Sequence, residues 1–129
     1  MSGIKRFEDV KAWQEARILT KLVYEMTNQE LFAKDFGLKD QIQRASVSIM
    51  NNVAEGFDCD SQLEFARFLG IARRSAVEVQ SLLYTAIDIG YIDQQTFEKI
   101  YNQASKTKAL VGGFKKYLID YHHKNKHRP

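Results

Sequence analysis

Phe65, Leu69, Ala72, Ala76, Val79, Leu83 and Ala86 alternate four and three residues apart without a slip. That rhythm puts them on one stripe of a helix and excludes a strand, whose side chains repeat every two residues. Phe68, Leu82 and Ile89 widen the stripe beyond a two-helix seam, so the segment calls for several partners. Ser61 and Glu64 have capping-box spacing at its start, and Gly90 can turn left-handed at its end. A helix from Ser61 to Ile89 would be a rod of about 43 Å at about 1.5 Å per residue.

The rest of the chain supplies three partners. A first helix is expected from Glu8-Asp9, acids suited to a helix start, to about Asn28. Its stripe is Ala12, Ala16, Leu19, Val23 and Met26, flanked by Trp13, Ile18 and Leu22. Asn28 to Gly37 breaks the pattern, and Leu31, Phe32 and Phe36 are expected to fold back over the bundle end. A second helix, Leu38 to Glu55, carries Leu38, Ile42, Ala45, Ile49 and Val53. Small residues Ala45, Ser46, Ser48 and Ala54 let a neighbour approach it closely, and Gly56 is expected to end it in a left-handed turn. The last helix, capped by Asp93, repeats the rhythm through Phe97, Ile100, Ala104, Thr107, Val111, Phe114, Leu118 and Tyr121. Gly112-Gly113 interrupts it at about 1 kcal/mol each relative to Ala, so a kink or a close crossing is expected there.

No segment alternates as a strand does, and the only proline is the last residue. The expected fold is all-α, an antiparallel up-down-up-down four-helix bundle over residues 1–121, with a basic disordered tail over residues 122–129. At 129 residues such a domain can bury roughly two thirds of its unfolded surface without disulfide or metal. The single cysteine, Cys59, favours a reducing, cytoplasmic setting. No apolar run reaches the about 18 residues of a membrane span, and Met1 to Arg6 lacks the hydrophobic segment of a signal peptide.

Charge is uneven. From Lys99 onward eight Lys/Arg face one acid, Asp120, whereas the preceding residues carry eleven bases against fifteen acids. A basic end on an acidic body can steer an anionic partner; the alternative is solubility and favourable interaction with a helix C-terminus.

Enzyme parts are scarce: there is no glycine-rich phosphate loop, no Cys-x-x-Cys and no His-Glu-x-x-His. His122, His123 and His127 all lie in the tail, where no surrounding groups are expected to orient them for metal. Glu55, Asp58, Asp60 and Glu64 gather near one turn, but a di-metal bundle needs Glu-x-x-His pairs that this chain lacks. Glu55, in the last turn of a helix, opposes the dipole and calls for a basic partner such as Arg44, Arg73 or Arg74. Arg67 and Arg74, seven apart, share a face with Arg73 beside them, and arginine forks match phosphate oxygens. Ion pairing with Glu64, Glu78 or a neighbouring subunit is the competing use.

Gln41 to Ile49, the Asn52-Val53-Ala54-Glu55-Gly56-Phe57 ending, Glu64 to Ser75, Gly90-Tyr91-Ile92 and the opening Val10 to Ala16 resemble the four-helix bundle protein family. Its members include proteins encoded within intervening sequences of bacterial large-subunit ribosomal RNA genes. Where that family usually has Pro-Ser, this chain has Met50-Asn51, which removes the kink a proline would impose. The resemblance implies a five-fold ring with a basic surface, and a likeness to the accessory subunit of diversity-generating retroelements, which is thought to bind nucleic acid and a reverse transcriptase.

Residues and resemblance together suggest a non-enzymatic, cytoplasmic homo-oligomer, a pentamer, without cofactor or membrane partner. It would bind RNA or single-stranded nucleic acid through Arg44, Arg67, Arg73, Arg74, Lys115, Lys116, Lys124, Lys126 and Arg128, mainly at phosphate, with no aromatic stacking platform evident. Trp13, Tyr24, Phe68, Ile71 and Tyr84 exceed one core's needs and are assigned to subunit contact. The alternative is a protein-protein adaptor or an accessory subunit, for example of a reverse transcriptase.

Overall fold

The computed structural model describes residues 3–126. A 3-10 turn, Phe7–Asp9, precedes α1, Lys11–Thr27; α2, Glu30–Lys34; α3, Phe36–Phe57; α4, Gln62–Ile89; and α5, Gln94–Lys126. There is no strand among the described residues. α1, α3, α4 and α5 form the bundle, with neighbour pairs α1–α3, α3–α4, α4–α5 and α5–α1, so α1 and α4 occupy opposite corners. Cross-helix contacts pair rising with falling residue numbers: Thr20 and Gln43 link α1 and α3 through Ser46 and Thr27, and Gln41 and Ser48 reach Glu78 and Ser75 of α4. The stripes meet inside, where Leu19, Ile42, Ile49, Val53, Leu69, Val79, Leu83, Val111 and Leu118 are fully buried.

Caps read from single residues hold. Ser61 Oγ accepts from the Glu64 amide at 3.2 Å, Asp93 Oδ1 from the Thr96 amide at 2.8 Å, and Gly90 ends α4 with φ 89°. These depend only on the local chain.

Four expectations change, and one residue gains a role not foreseen. The first helix begins at Lys11, because Val10 is extended (ψ 121°) and turns its side chain into the core, 1 % exposed. Of the three lid residues only Phe32 is buried, against Tyr91; Leu31 faces outward because the five-residue α2 can bury only one side, and Phe36, the first residue of α3, is exposed as well. Asp35, unremarked in the sequence, both caps α3 through the Leu38 amide and accepts from the Tyr91 hydroxyl at 2.9 Å, tying α3 to the α4–α5 connection. Gly56 does not terminate its helix. It is buried inside α3, where an added Cβ would stand 2.7 Å from Phe65 Cδ1 and 2.8 Å from Phe68 Cβ, so its role is to let α4 approach. Finally, α5 continues past Tyr121 to Lys126, where the Asn125 side-chain Nδ2 donates to the Tyr121 carbonyl at 2.8 Å, so residues 122–126 are helix rather than disordered tail. Residues 127–129 lie outside the described part. α3 passes unbroken through Met50 and Asn51.

Candidate nucleic-acid interface

The seam between α4 and α5 has a simple register. Tyr84 meets Tyr101, Gln80 meets Ser105, Arg73 meets Gly112, and Gly70 meets Lys115. Each step toward the start of α4 is matched by an equal step toward the end of α5, as antiparallel packing requires. Two glycine notches shape the seam reciprocally. The Arg73 side chain of α4 lies over Gly112, with Nε 3.5 Å from where a Cβ would be, and Lys115 of α5 lies over Gly70, with Nζ 3.0 Å from the corresponding position. Gly112 thus leaves room for the Arg73 side chain, whereas a Cβ at Gly113 would meet nothing within 4 Å, so the pair marks no close helix crossing and α5 runs through both positions. Lys108 adds a third cation: its Nζ donates to Gln80 Oε1 at 3.2 Å, while Gln80 Nε2 donates to Ser105 Oγ at 2.8 Å.

Arg73, Lys108 and Lys115 share a second property, in that none forms an ion pair among the described residues. Their positive charge is therefore uncancelled at close range, while their alkyl stems lie along the seam. Lys106, two residues from Lys108, is spent elsewhere: with Lys11 it flanks Glu15, which is 5 % exposed and also accepts from Gln103 Nε2 at 3.0 Å. The Gln103 hydrogen bond, then Lys106 and Lys11, hold the Glu15 carboxyl below its ordinary range despite the opposing effect of burial.

The other expected residues divide. Arg44 pairs with Asp40 at 2.8 Å and Arg67 with Glu64 at 2.9 Å, both on exposed helix surface, and the Arg67 guanidinium lies 4.8 Å above the Phe68 ring. The spacings of four and three were visible in the sequence as a signal for such pairs. Arg74 and Lys116 are exposed without an ion pair among the described residues, Lys124 is exposed on the last turns of α5, and Lys126 closes that helix. Arg128 lies outside the described part. Glu55 has no basic partner among the described residues; only its carbonyl is engaged, by Cys59 Sγ. Among the described residues no group of three or more His, Cys, Asp or Glu converges and no helix is long and apolar enough to cross a membrane.

The residues assigned to subunit contact do not share a face. Trp13 and Tyr24 sit on α1, at the corner opposite α4, with Trp13 half-buried against Phe7 and Tyr24 exposed. Phe68 and Ile71 are half-buried on α4. Tyr84 belongs to neither patch: it packs at 4.9 Å from Phe97 and 5.8 Å from Tyr101, at one end of the cationic seam. Tyr101 holds the Tyr84 phenol above its ordinary pKa, so Tyr84 is neutral at physiological pH.

Residues 8–113 match the 23S rRNA-intervening sequence protein family. The chain belongs to that family. A solved structure of a protein of unknown function from the S23 ribosomal protein family of Bacteroides thetaiotaomicron is similar over 81 % of this chain and 95 % of its own, with a TM-score of 0.75 and 24 % identity. At that identity the likeness speaks for the fold. Among curated proteins none matches. The segment matched to the 23S rRNA-intervening sequence protein family contains Arg73, Lys108 and both glycines of the notch at Gly112 and Gly70, and stops before Lys115.

Proposed function

We propose that this 23S rRNA-intervening sequence protein is a non-enzymatic, cytoplasmic homo-oligomer that binds RNA or single-stranded nucleic acid through the α4–α5 seam. The observation that carries the reading is the row Arg73, Lys108 and Lys115, three cations set along one groove with no carboxylate paired to any of them among the described residues. Arg44 and Arg67, by contrast, are each paired with acids one turn away. A groove that keeps its cations apart from them suits a polyanion, and contacts of this kind go to phosphate rather than to base edges.

Assembly as a pentamer is part of the proposal. A ring needs two different patches per subunit, whereas a two-fold dimer uses one patch twice. Trp13 and Tyr24 on α1 and Phe68 and Ile71 on α4 supply two such patches at opposite corners. Five copies of a chain with net charge +3 would multiply weak phosphate contacts by avidity. Exposed Leu31 and Phe36, 61 % and 77 % accessible beside α2, favour a second reading in which this end docks a protein, as an accessory subunit would.

Anisotropy titration of a labelled RNA oligomer at several salt concentrations tests the leading reading. Affinity should fall with salt, and combined Arg73→Gln, Lys108→Gln and Lys115→Gln substitutions should reduce the log–log slope by about 2 for a single strand. Salt-independent affinity, or a triple variant that binds as tightly as the parent, would overturn it.

A further inference from the structure

The seam ends in a feature that no single helix displays. Tyr84 is 52 % exposed, yet its ring packs at an angle against Phe97 at 4.9 Å and Tyr101 at 5.8 Å, which are themselves stacked at 5.3 Å with 24° between their planes. About half of Tyr84 is thus open to solvent on a ring braced by two others. It stands on the same row of α4 as Gly70, fourteen residues away, and Tyr101 on the same row of α5 as Lys108 and Lys115. At about 1.5 Å per residue, Lys108 lies about 10 Å and Lys115 about 21 Å along α5 from Tyr101.

We propose that the seam takes its nucleic acid as a single strand, with one unpaired base stacked on Tyr84 and the following phosphates running along Lys108 and Lys115. This rests on the reading of the seam as a polyanion groove and adds which polyanion. A row of cations alone accepts duplex and single strand alike. A flat ring open to solvent discriminates, because interior bases of a duplex have both faces covered by their neighbours, while an unpaired base has a face to give. With about 3.4 Å per stacked nucleotide, the tract from the ring spans about three nucleotides to Lys108 and about six to Lys115. The acids set its direction. Beyond the ring cluster, on the side away from Lys108, Asp88 of α4 and Glu98 of α5 outnumber Lys99, whereas Lys108 and Lys115 continue the row on the other side, so phosphate is favoured toward Lys108. Tyr84 carries no charge of its own to repel phosphate.

The test uses the full chain with labelled oligo-U and oligo-dT twelve-mers and a blunt duplex of equal length. Tyr84→Ala and Tyr84→Leu, the second keeping apolar bulk against Phe97, should each weaken single-strand binding about tenfold, the effect of one lost stack. Their salt slopes should match the parent's, duplex binding should stay unchanged, and Tyr84→Phe should bind like the parent. Single-strand affinity unmoved in both Tyr84→Ala and Tyr84→Leu would overturn the stacking assignment. So would an altered oligomeric state by light scattering, which would make the ring a subunit contact. Either result leaves the groove reading standing if the triple glutamine variant still loses affinity; if that variant binds normally, the groove reading itself fails.

Discussion

Gly56→Ala is the substitution on which the packing argument can be judged. The new Cβ would stand 2.7 Å from Phe65 Cδ1, 2.8 Å from Phe68 Cβ and 3.2 Å from Phe65 Cε1. Neither neighbour can yield cheaply. Phe65 is 3 % exposed and wedged edge-on between Phe57 and Phe114 at 6.1 and 5.0 Å, and Phe68 Cβ is fixed to the α4 backbone, so relief requires α3 and α4 to separate. Overpacking of this sort costs about 1–3 kcal/mol. Alanine returns up to about 1 kcal/mol because Gly56 lies within a helix. The net expectation is a loss of about 1–2 kcal/mol, or a melting temperature lower by about 4–8 °C. Urea unfolding followed by circular dichroism measures it, with Phe65→Leu as partner in a double-mutant cycle that should show coupling of about 1 kcal/mol. A left-handed cap at Gly56 would tolerate Asn; packing against Phe65 and Phe68 makes Gly56→Asn worse than Gly56→Ala. A Gly56→Ala protein as stable as the parent would refute the reasoning.

Gly113→Ala should act in the opposite direction, raising stability by about 1 kcal/mol in the same assay, since no atom lies within 4 Å of the added Cβ and the position is helical. Gly90→Ala should cost about 1–2 kcal/mol, because φ 89° at the end of α4 penalises any Cβ. Asp93→Ala should remove the cap of α5 and about 1 kcal/mol, read as a lower urea midpoint. Glu15→Gln should be less stable than the parent at pH 7, and the difference should shrink on acidification: a carboxyl depressed in the folded state stabilises above its unfolded pKa of about 4.3 and loses that contribution as pH falls through its folded value. Urea midpoints of the two proteins at pH 7 and pH 3 check this, and a constant gap would exclude Glu15 as the titrating group.

What the chain's residues determined by themselves was local. The apolar rhythm of α4, the caps at Ser61 and Asp93 and the left-handed Gly90 follow from backbone hydrogen bonds satisfied within a few residues, so neighbours in sequence suffice to predict them. Glu64 was already a candidate partner for the arginines of α4 and takes Arg67, whereas the pairing of Arg44 with Asp40 was not foreseen, and the two pairs remove two arginines from the basic surface. Tertiary structure alone decided the rest. Gly56 looks like a stop signal until α4 is laid against it, and Lys115 and Arg73 come onto one seam only when α4 and α5 pack in the register that lays them over Gly70 and Gly112. The same register brings Tyr84 onto Tyr101 and makes an aromatic platform where the separate helices show only scattered tyrosines. Register is a property of two packed surfaces, fixed by many side chains at once, and the spacing along either helix carries no record of it.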